Sequence, residues 1–330
     1  MSRIAVLGAG AWGTALAISL ARRGGHAVTL WSHSEPLAEQ LTETGENLHY
    51  LPGYTVPFDV RVTADVVAAV FEAEIVVLVT PSEHLRSVLT EVAPALERNQ
   101  TIVSATKGLE ETSLLRMSQV IASVVENPCC VLSGPSFAAE VAAGIPTAIV
   151  AASASPVIAQ RVQKEFSSPT LRLYTNDDVA GVELGGALKN VIALAAGVVN
   201  GLELGHNAAA ALITRGIAEI TRLALACGGR PQTLAGLSGL GDLVLTCTGS
   251  LSRNRTVGTE LGKGRALADV LAGLNGKVAE GVRSTTAALG LAARYQVEMP
   301  ITEQMDAILH HGKSPKEAIR ELMARPGRDE

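Results

Sequence analysis

Six residues near the start of the chain, Gly8-Ala9-Gly10-Ala11-Trp12-Gly13, restrict its possible folds more than any other segment. They follow a short apolar run, Arg3–Leu7, that reads as a buried strand. After them comes Trp12–Arg23, whose apolar residues recur at helical spacing until Gly24-Gly25 stops the helix. A second apolar run, Ala27–Trp31, completes a βαβ unit. In a G-x-G-x-x-G at this junction, the first glycine makes the turn. The second lets main chain approach a pyrophosphate, and the third lets the helix lie on the strand. The helix N-terminus then faces the anion with N–H groups that have no partner within the helix. The hexapeptide alone is equally consistent with a turn that binds nothing. In this setting it predicts a dinucleotide held by Gly8, Gly10 and Gly13, with FAD open beside NADH and NADPH.

Strand-like runs continue at Val60–Val62, Ile75–Val79, Thr101–Ser104, Cys130–Leu132, Thr147–Ala151 and Leu171–Tyr174. Helical stretches such as Glu83–Leu96 and Leu114–Val125 separate them, so a mostly parallel, doubly wound sheet is expected. Beyond about Asn176 only Ala- and Leu-rich helical runs are read. The predicted division is a Rossmann domain over residues 1–178 and an all-helical domain over 179–330. Aromatic residues are 3% of the chain, so the core must be built from Ala, Val, Leu and Ile.

A net charge of −5 with dispersed Lys and Arg argues against nucleic-acid binding, which needs a concentrated basic surface. It leaves room for a small anion, because two or three local cations suffice for a phosphate. The apolar stretches near Pro146–Ala154 and Val191–Val199 read as too short to span a membrane, which takes about 20 residues. Met1-Ser2-Arg3 runs straight into a strand, so no leader is expected. Cys129, Cys130, Cys227 and Cys247 have no metal-ligand spacing, which predicts reduced thiols in the cytoplasm and no metal.

The second strand ends in Trp31-Ser32-His33-Ser34, where an NAD-only site usually carries an acidic residue. An NADP phosphate would not be repelled there. His33 is read either as a contact to it or to the adenine, or as an exposed loop imidazole. Lys107 follows the strand Thr101–Ser104 and reads either as a solvated surface charge or as a ligand contact, at the carboxyl edge where open α/β sheets bind ligands. Gly134-Pro135-Ser136 follows another such strand, with Ser136 read as a helix cap, a ligand contact, or both. Farther on, Lys189 stands among Leu184, Leu188, Val191 and Ile192, with Gly185 clearing room one helical turn away. Such a lysine either snorkels or, being desolvated, exchanges a proton near neutral pH. Asp242 reads as a helix cap or as part of a site. Ser252-Arg253-Asn254-Arg255 reads as a solvated turn or as donors for a phosphate monoester, since Arg binds two oxygens at once.

Together the motifs resemble one family. G-A-G-A-W-G-T-A-L-A, A-T-K-G-L-E, S-G-P-S-F-A-x-E, E-L-G-G-A-L-K-N, A-L-I-T-R-G, G-L-G-D-L-V-L-T-C-T and S-R-N-R occur in the order of bacterial-type NAD(P)-dependent glycerol-3-phosphate dehydrogenase. The resemblance implies reduction of dihydroxyacetone phosphate to sn-glycerol 3-phosphate with NADPH or NADH, supplying phospholipid synthesis in a cytoplasmic homodimer. It implies Lys189 as proton donor and acceptor, and Lys107, Gly134, Ser136, Lys189, Asp242, Ser252, Arg253 and Asn254 along the substrate. It places Ala11, Trp12, His33, Lys107, Ala138, Arg253, Val278 and Glu280 against the nucleotide. Rival expectations are a β-hydroxyacid dehydrogenase or ketopantoate reductase, which handle carboxylates, and an NADPH-binding redox sensor with no need of Lys189.

Overall fold

A computed structural model of the chain describes residues 1–273 and 279–327. Contacts divide it into two units, Met1–Glu110 with Leu115–Glu183, and Glu111–Leu114 with Leu184–Glu330.

The first unit carries ten strands: β1 (Ser2–Leu7), β2 (His26–Trp31), β3 (Glu46–Asn47), β4 (Leu51–Thr55), β5 (Arg61–Thr63), β6 (Ile75–Leu78), β7 (Thr101–Ser104), β8 (Cys129–Ser133), β9 (Thr147–Ala152) and β10 (Leu171–Asn176). Eight form one sheet in the order β10-β9-β8-β7-β6-β1-β2-β5, parallel except where β9 meets β8. The period-2 alternation of each apolar run divides the core. Ile4, Val6, Ile75, Val77 and Val103 face one side with Leu16, Val162 and Phe166. Ala5, Leu7, Val76, Leu78 and Ile102 face the other with Leu85, Leu89 and Ile121. Strands buried on both faces need apolar residues at every position, which is why these runs are uninterrupted. β1 pairs with both β2 and β6, so the glycine loop after it leaves the sheet where strand order reverses, the usual ligand position in such sheets.

Three local expectations are corrected. The strand expected at Val60–Val62 is Arg61–Thr63. The helix expected over Leu114–Val125 is only Met117–Ala122, because the chain reverses at Leu114, whose φ of 61° is left-handed. The helix expected over Glu83–Leu96 is Ser82–Val92 followed by a 3₁₀ turn, Ala93–Ala95, since Pro94 has no N–H to continue the α ladder. The β3–β4 hairpin was not anticipated, because Pro52-Gly53 interrupts its apolar pattern.

In the second unit every regular element among the described residues is helical. Its central helix, Val179–Gly201, starts in the first unit. At 23 residues it is long and apolar enough to cross a membrane, contrary to the expectation from its shorter apolar runs; its apolar window is nevertheless wholly buried. It crosses the helix Arg253–Gly262 in direct main-chain contact. A Cβ on Gly197 would stand 2.1 Å from the Arg255 carbonyl oxygen, and one on Gly258 1.9 Å from that of Leu194. This crossing fixes the Ser252–Arg255 segment relative to the helix that carries Lys189.

Candidate active site

The glycine loop of the first unit has the geometry its motif requires. Gly8 has a φ of +128°, and a Cβ there would sit 2.8 Å from the Val79 carbonyl oxygen. A Cβ on Gly13 would overlap the Gly8 carbonyl oxygen at 1.9 Å, so the helix Ala11–Arg23 touches the loop directly. At Gly10 the corresponding space is open. An open face at the middle glycine, with the N-terminus of a 13-residue helix behind it, fits a pyrophosphate. At the end of β2, Ser34 caps the next helix and accepts from the Leu37 N–H, while Ser32 donates to the Ser34 carbonyl at 2.9 Å. His33 is exposed and meets the Trp31 ring edge-on at 6.1 Å.

Loops beyond β7 and β8 converge. The Lys107 ammonium donates to the Gly134 carbonyl at 3.1 Å, and the Ser136 hydroxyl donates to the same oxygen at 3.0 Å. Ser136 therefore does not cap the helix Ala138–Ala143, which starts after Phe137 without a side-chain cap; the capping expectation is corrected. Thr106 braces this corner by donating to the Thr80 carbonyl at 2.8 Å. A small pocket is lined by Thr106, Lys107, Gly108, Ser133 and Glu183. The Glu183 carboxylate accepts from the Ser118 N–H at 2.7 Å and its hydroxyl at 2.6 Å, and pairs with Arg116. Burial pushes its pKa up, while Arg116 and Ser118 pull it back.

In the second unit Lys189 is 7% exposed and donates to the carboxylate of Asp242 and, at 2.9 Å, to the Thr246 hydroxyl. Thr246 in turn donates to the Asp242 carbonyl at 2.6 Å. Lys189 thus ends among polar groups and does not snorkel. Asp242 is the first residue of the helix Asp242–Thr248, after the turn Leu237–Gly241, and its carboxylate turns to Lys189; the helix has no side-chain cap. The space cleared by Gly185 is used by that turn, since a Cβ there would lie 2.5 Å from the Ser238 carbonyl oxygen. A buried positive charge with a bonded carboxylate and hydroxyl is held in one orientation and compensated for its lost hydration.

A second chain of bonds flanks the lysine. The Asn254 amide donates to the Asn190 side-chain oxygen at 3.0 Å, and the Asn190 amide donates to Glu280 at 3.2 Å. Asn254 also accepts the Gly281 N–H at 2.9 Å. Ser252 is buried and caps the helix Arg253–Gly262 through the Arg255 N–H, so S-R-N-R is a helix start, not a solvated turn. Arg253 is exposed, whereas Arg255 is tied to Asn200 at 3.1 Å. Val278 lies outside the described residues. No cluster of metal-ligating side chains occurs among the described residues. Sequence reasoning missed Thr246 and Asn190. Thr246 stands one helical turn after Asp242, and Asn190 directly follows the lysine.

Comparisons with known proteins place the chain in one family. Residues 3–159 match the family model of the NAD-dependent glycerol-3-phosphate dehydrogenase N-terminus, and residues 178–320 match that of its C-terminus. A glycerol-3-phosphate dehydrogenase [NAD(P)+] of Acidobacterium capsulatum is 62% identical, with 100% of each chain covered. The crystal structure of glycerol-3-phosphate dehydrogenase from Coxiella burnetii superposes with a TM-score of 0.95 at 41% identity, covering 98% of this chain and 99% of that one. A ketopantoate reductase family protein from Ralstonia eutropha, at 17% identity and a TM-score of 0.59 over 96% of this chain and 99% of its own, shares the fold alone.

Proposed function

The chain belongs to the NAD-dependent glycerol-3-phosphate dehydrogenase family, and we propose that it reduces dihydroxyacetone phosphate to sn-glycerol 3-phosphate with Lys189 as the proton donor. The bound NADPH or NADH supplies the hydride. The observation that carries the assignment of Lys189 is its burial together with Asp242 and Thr246, which aim a single ammonium group. That ammonium protonates the alkoxide as it forms at C2, and in the reverse direction the amine takes the proton back.

Lys107, with Gly134 and Ser136, is assigned to the substrate as a source of positive charge and hydrogen bonds. Ser252, Arg253 and Asn254 stand at a helix N-terminus, where the partial charges of the helix and a guanidinium both favour a phosphate. Gly8, Gly10, Ala11, Trp12, Gly13 and His33 are assigned to the nucleotide, with Ala138, Glu280 and Val278 by family position. The missing carboxylate at the end of β2 supports acceptance of NADPH beside NADH. Homodimer formation, a cytoplasmic location and a role in phospholipid synthesis are carried by the family resemblance. Oxidation of NADPH followed at 340 nm with dihydroxyacetone phosphate or ketopantoate tests the reading. Turnover with the phosphate ester alone is expected, and turnover with only the carboxylate would overturn it.

A further inference from the structure

Asn47 lies on β3, outside every motif that the sequence singled out, and is completely buried. Its side-chain oxygen accepts the Tyr50 N–H at 3.0 Å, which fixes the other end of the amide as the donor. That NH₂ group donates to the Ala9 carbonyl at 2.8 Å and to the Thr14 hydroxyl at 2.9 Å. Both of its protons and one oxygen lone pair are used, so the side chain has one orientation. Ala9 stands between the first two glycines of the loop, and Thr14 lies in the first turn of the helix after it.

A trans peptide points its C=O and the following N–H in opposite directions. Drawing the Ala9 carbonyl to the buried Asn47 amide therefore turns the Gly10 N–H away from Asn47, and the Cβ position at Gly10 is open. Gly10 tolerates either sign of φ, so that peptide can rotate at little cost, and without the amide the loop would sample orientations that present a carbonyl to the anion. We propose that Asn47 is a positioning residue for the dinucleotide: it latches the Ala9–Gly10 peptide so that an N–H faces the pyrophosphate. Thr14 is the lesser partner, tying the hairpin to the helix. The proposal rests on the dinucleotide reading of the loop.

The test is the dissociation constant of NADPH, read from its own fluorescence without substrate, for wild type, Asn47→Ala and Thr14→Val. Loss of one well-formed hydrogen bond to a preorganised loop corresponds to about a tenfold change. Asn47→Ala is expected to weaken binding about tenfold or more. Thr14→Val is expected to stay within about twofold. At saturating nucleotide, kcat of Asn47→Ala should remain within about twofold of wild type, because a loosened loop alters nucleotide binding before turnover. If Asn47→Ala loses its fold, Asn47→Ser, which keeps one donor, takes its place with the same direction expected. A folded Asn47 variant that binds NADPH as wild type does overturns the latch. If wild type itself binds neither NADPH nor NADH, the dinucleotide reading fails instead.

Discussion

The ammonium of Lys189 and the carboxylate of Asp242 face each other with both side chains almost entirely withdrawn from water, 9% and 1% exposed. A pair closed to this degree holds a charge where solvent cannot replace the partner. Its removal should therefore be visible in both chemistry and stability.

Replacing Lys189 by Ala should lower kcat by about 10²–10⁴, the usual contribution of a positioned acid or base. NADPH affinity should change little, because the glycine loop stays intact. Steady-state turnover and direct nucleotide titration separate the two effects. An Ala variant that keeps most of its turnover would remove Lys189 from the mechanism.

Asp242→Asn leaves the ammonium without its counter-charge, and breaking a buried pair from one side costs about 3–5 kcal/mol. A lower urea midpoint and a lower kcat are both expected. The double variant Lys189→Met/Asp242→Leu should recover part of the midpoint and none of the activity. A midpoint unchanged in Asp242→Asn would mean that the pair is not buried in solution.

Arg253 and Arg255 are two residues apart but differently placed, one exposed at the helix start and one bonded to Asn200. Arg253→Ala should raise KM for dihydroxyacetone phosphate about 10–100-fold, the range of a lost hydrogen bond to a charged group. Arg255→Ala should mainly lower stability. The reverse pattern in a pair of Michaelis–Menten series would exchange their roles.

Glu219 supplies a pH-dependent contribution. Its carboxylate accepts the Ile301 N–H and the Thr302 N–H at 2.9 Å each, and the Thr302 hydroxyl at 2.6 Å, at the start of the helix Pro300–His310. Burial raises its pKa above the ordinary 4.5 despite these bonds. The folded protein therefore holds this proton more tightly than the unfolded chain. The resulting stabilisation is complete below the unfolded pKa and is lost as pH rises through the folded one. Urea midpoints of wild type minus those of Glu219→Gln should accordingly fall as pH rises from about 4 toward neutrality. A difference that grows over the same interval contradicts the assignment.

Burial pushes the Cys130 and Cys247 thiols up to about 12, so neither forms a thiolate at neutral pH in the folded state. Alkylation followed by peptide mass mapping should label both only after unfolding. Rapid labelling of either in the native protein would show that its surroundings open.

Much of the candidate site was legible because many of its residues are contiguous. The glycine loop is one hexapeptide between a strand and a helix. Lys189 announces itself as a cation in an apolar helix, and S-R-N-R groups its donors within four residues. Illegible parts depend on contacts far apart in sequence. Ser136 and Asp242 both looked like caps, because the sequence does not show that a carbonyl at Gly134 or an ammonium at residue 189 competes for them. Asn47 and Glu183 were missed for the same reason: their partners, Ala9 and Ser118, are 38 and 65 residues away. The short helix at Met117 was overextended because apolar spacing alone cannot reveal a left-handed residue at Leu114.

The contact of Gly197 with the turn of helix at Gly258 has a bearing on how this protein can change over time. Where two helices meet through main chain, no side chain at the seam can be enlarged without prising them apart. A single added methyl at either position would displace the segment that starts at Ser252. The separation between the segment that starts at Ser252 and the helix that carries Lys189 is therefore set by main chain, whatever side chains surround the seam. Attempts to retrain the protein toward longer or shorter substrates should meet their firmest resistance along that seam.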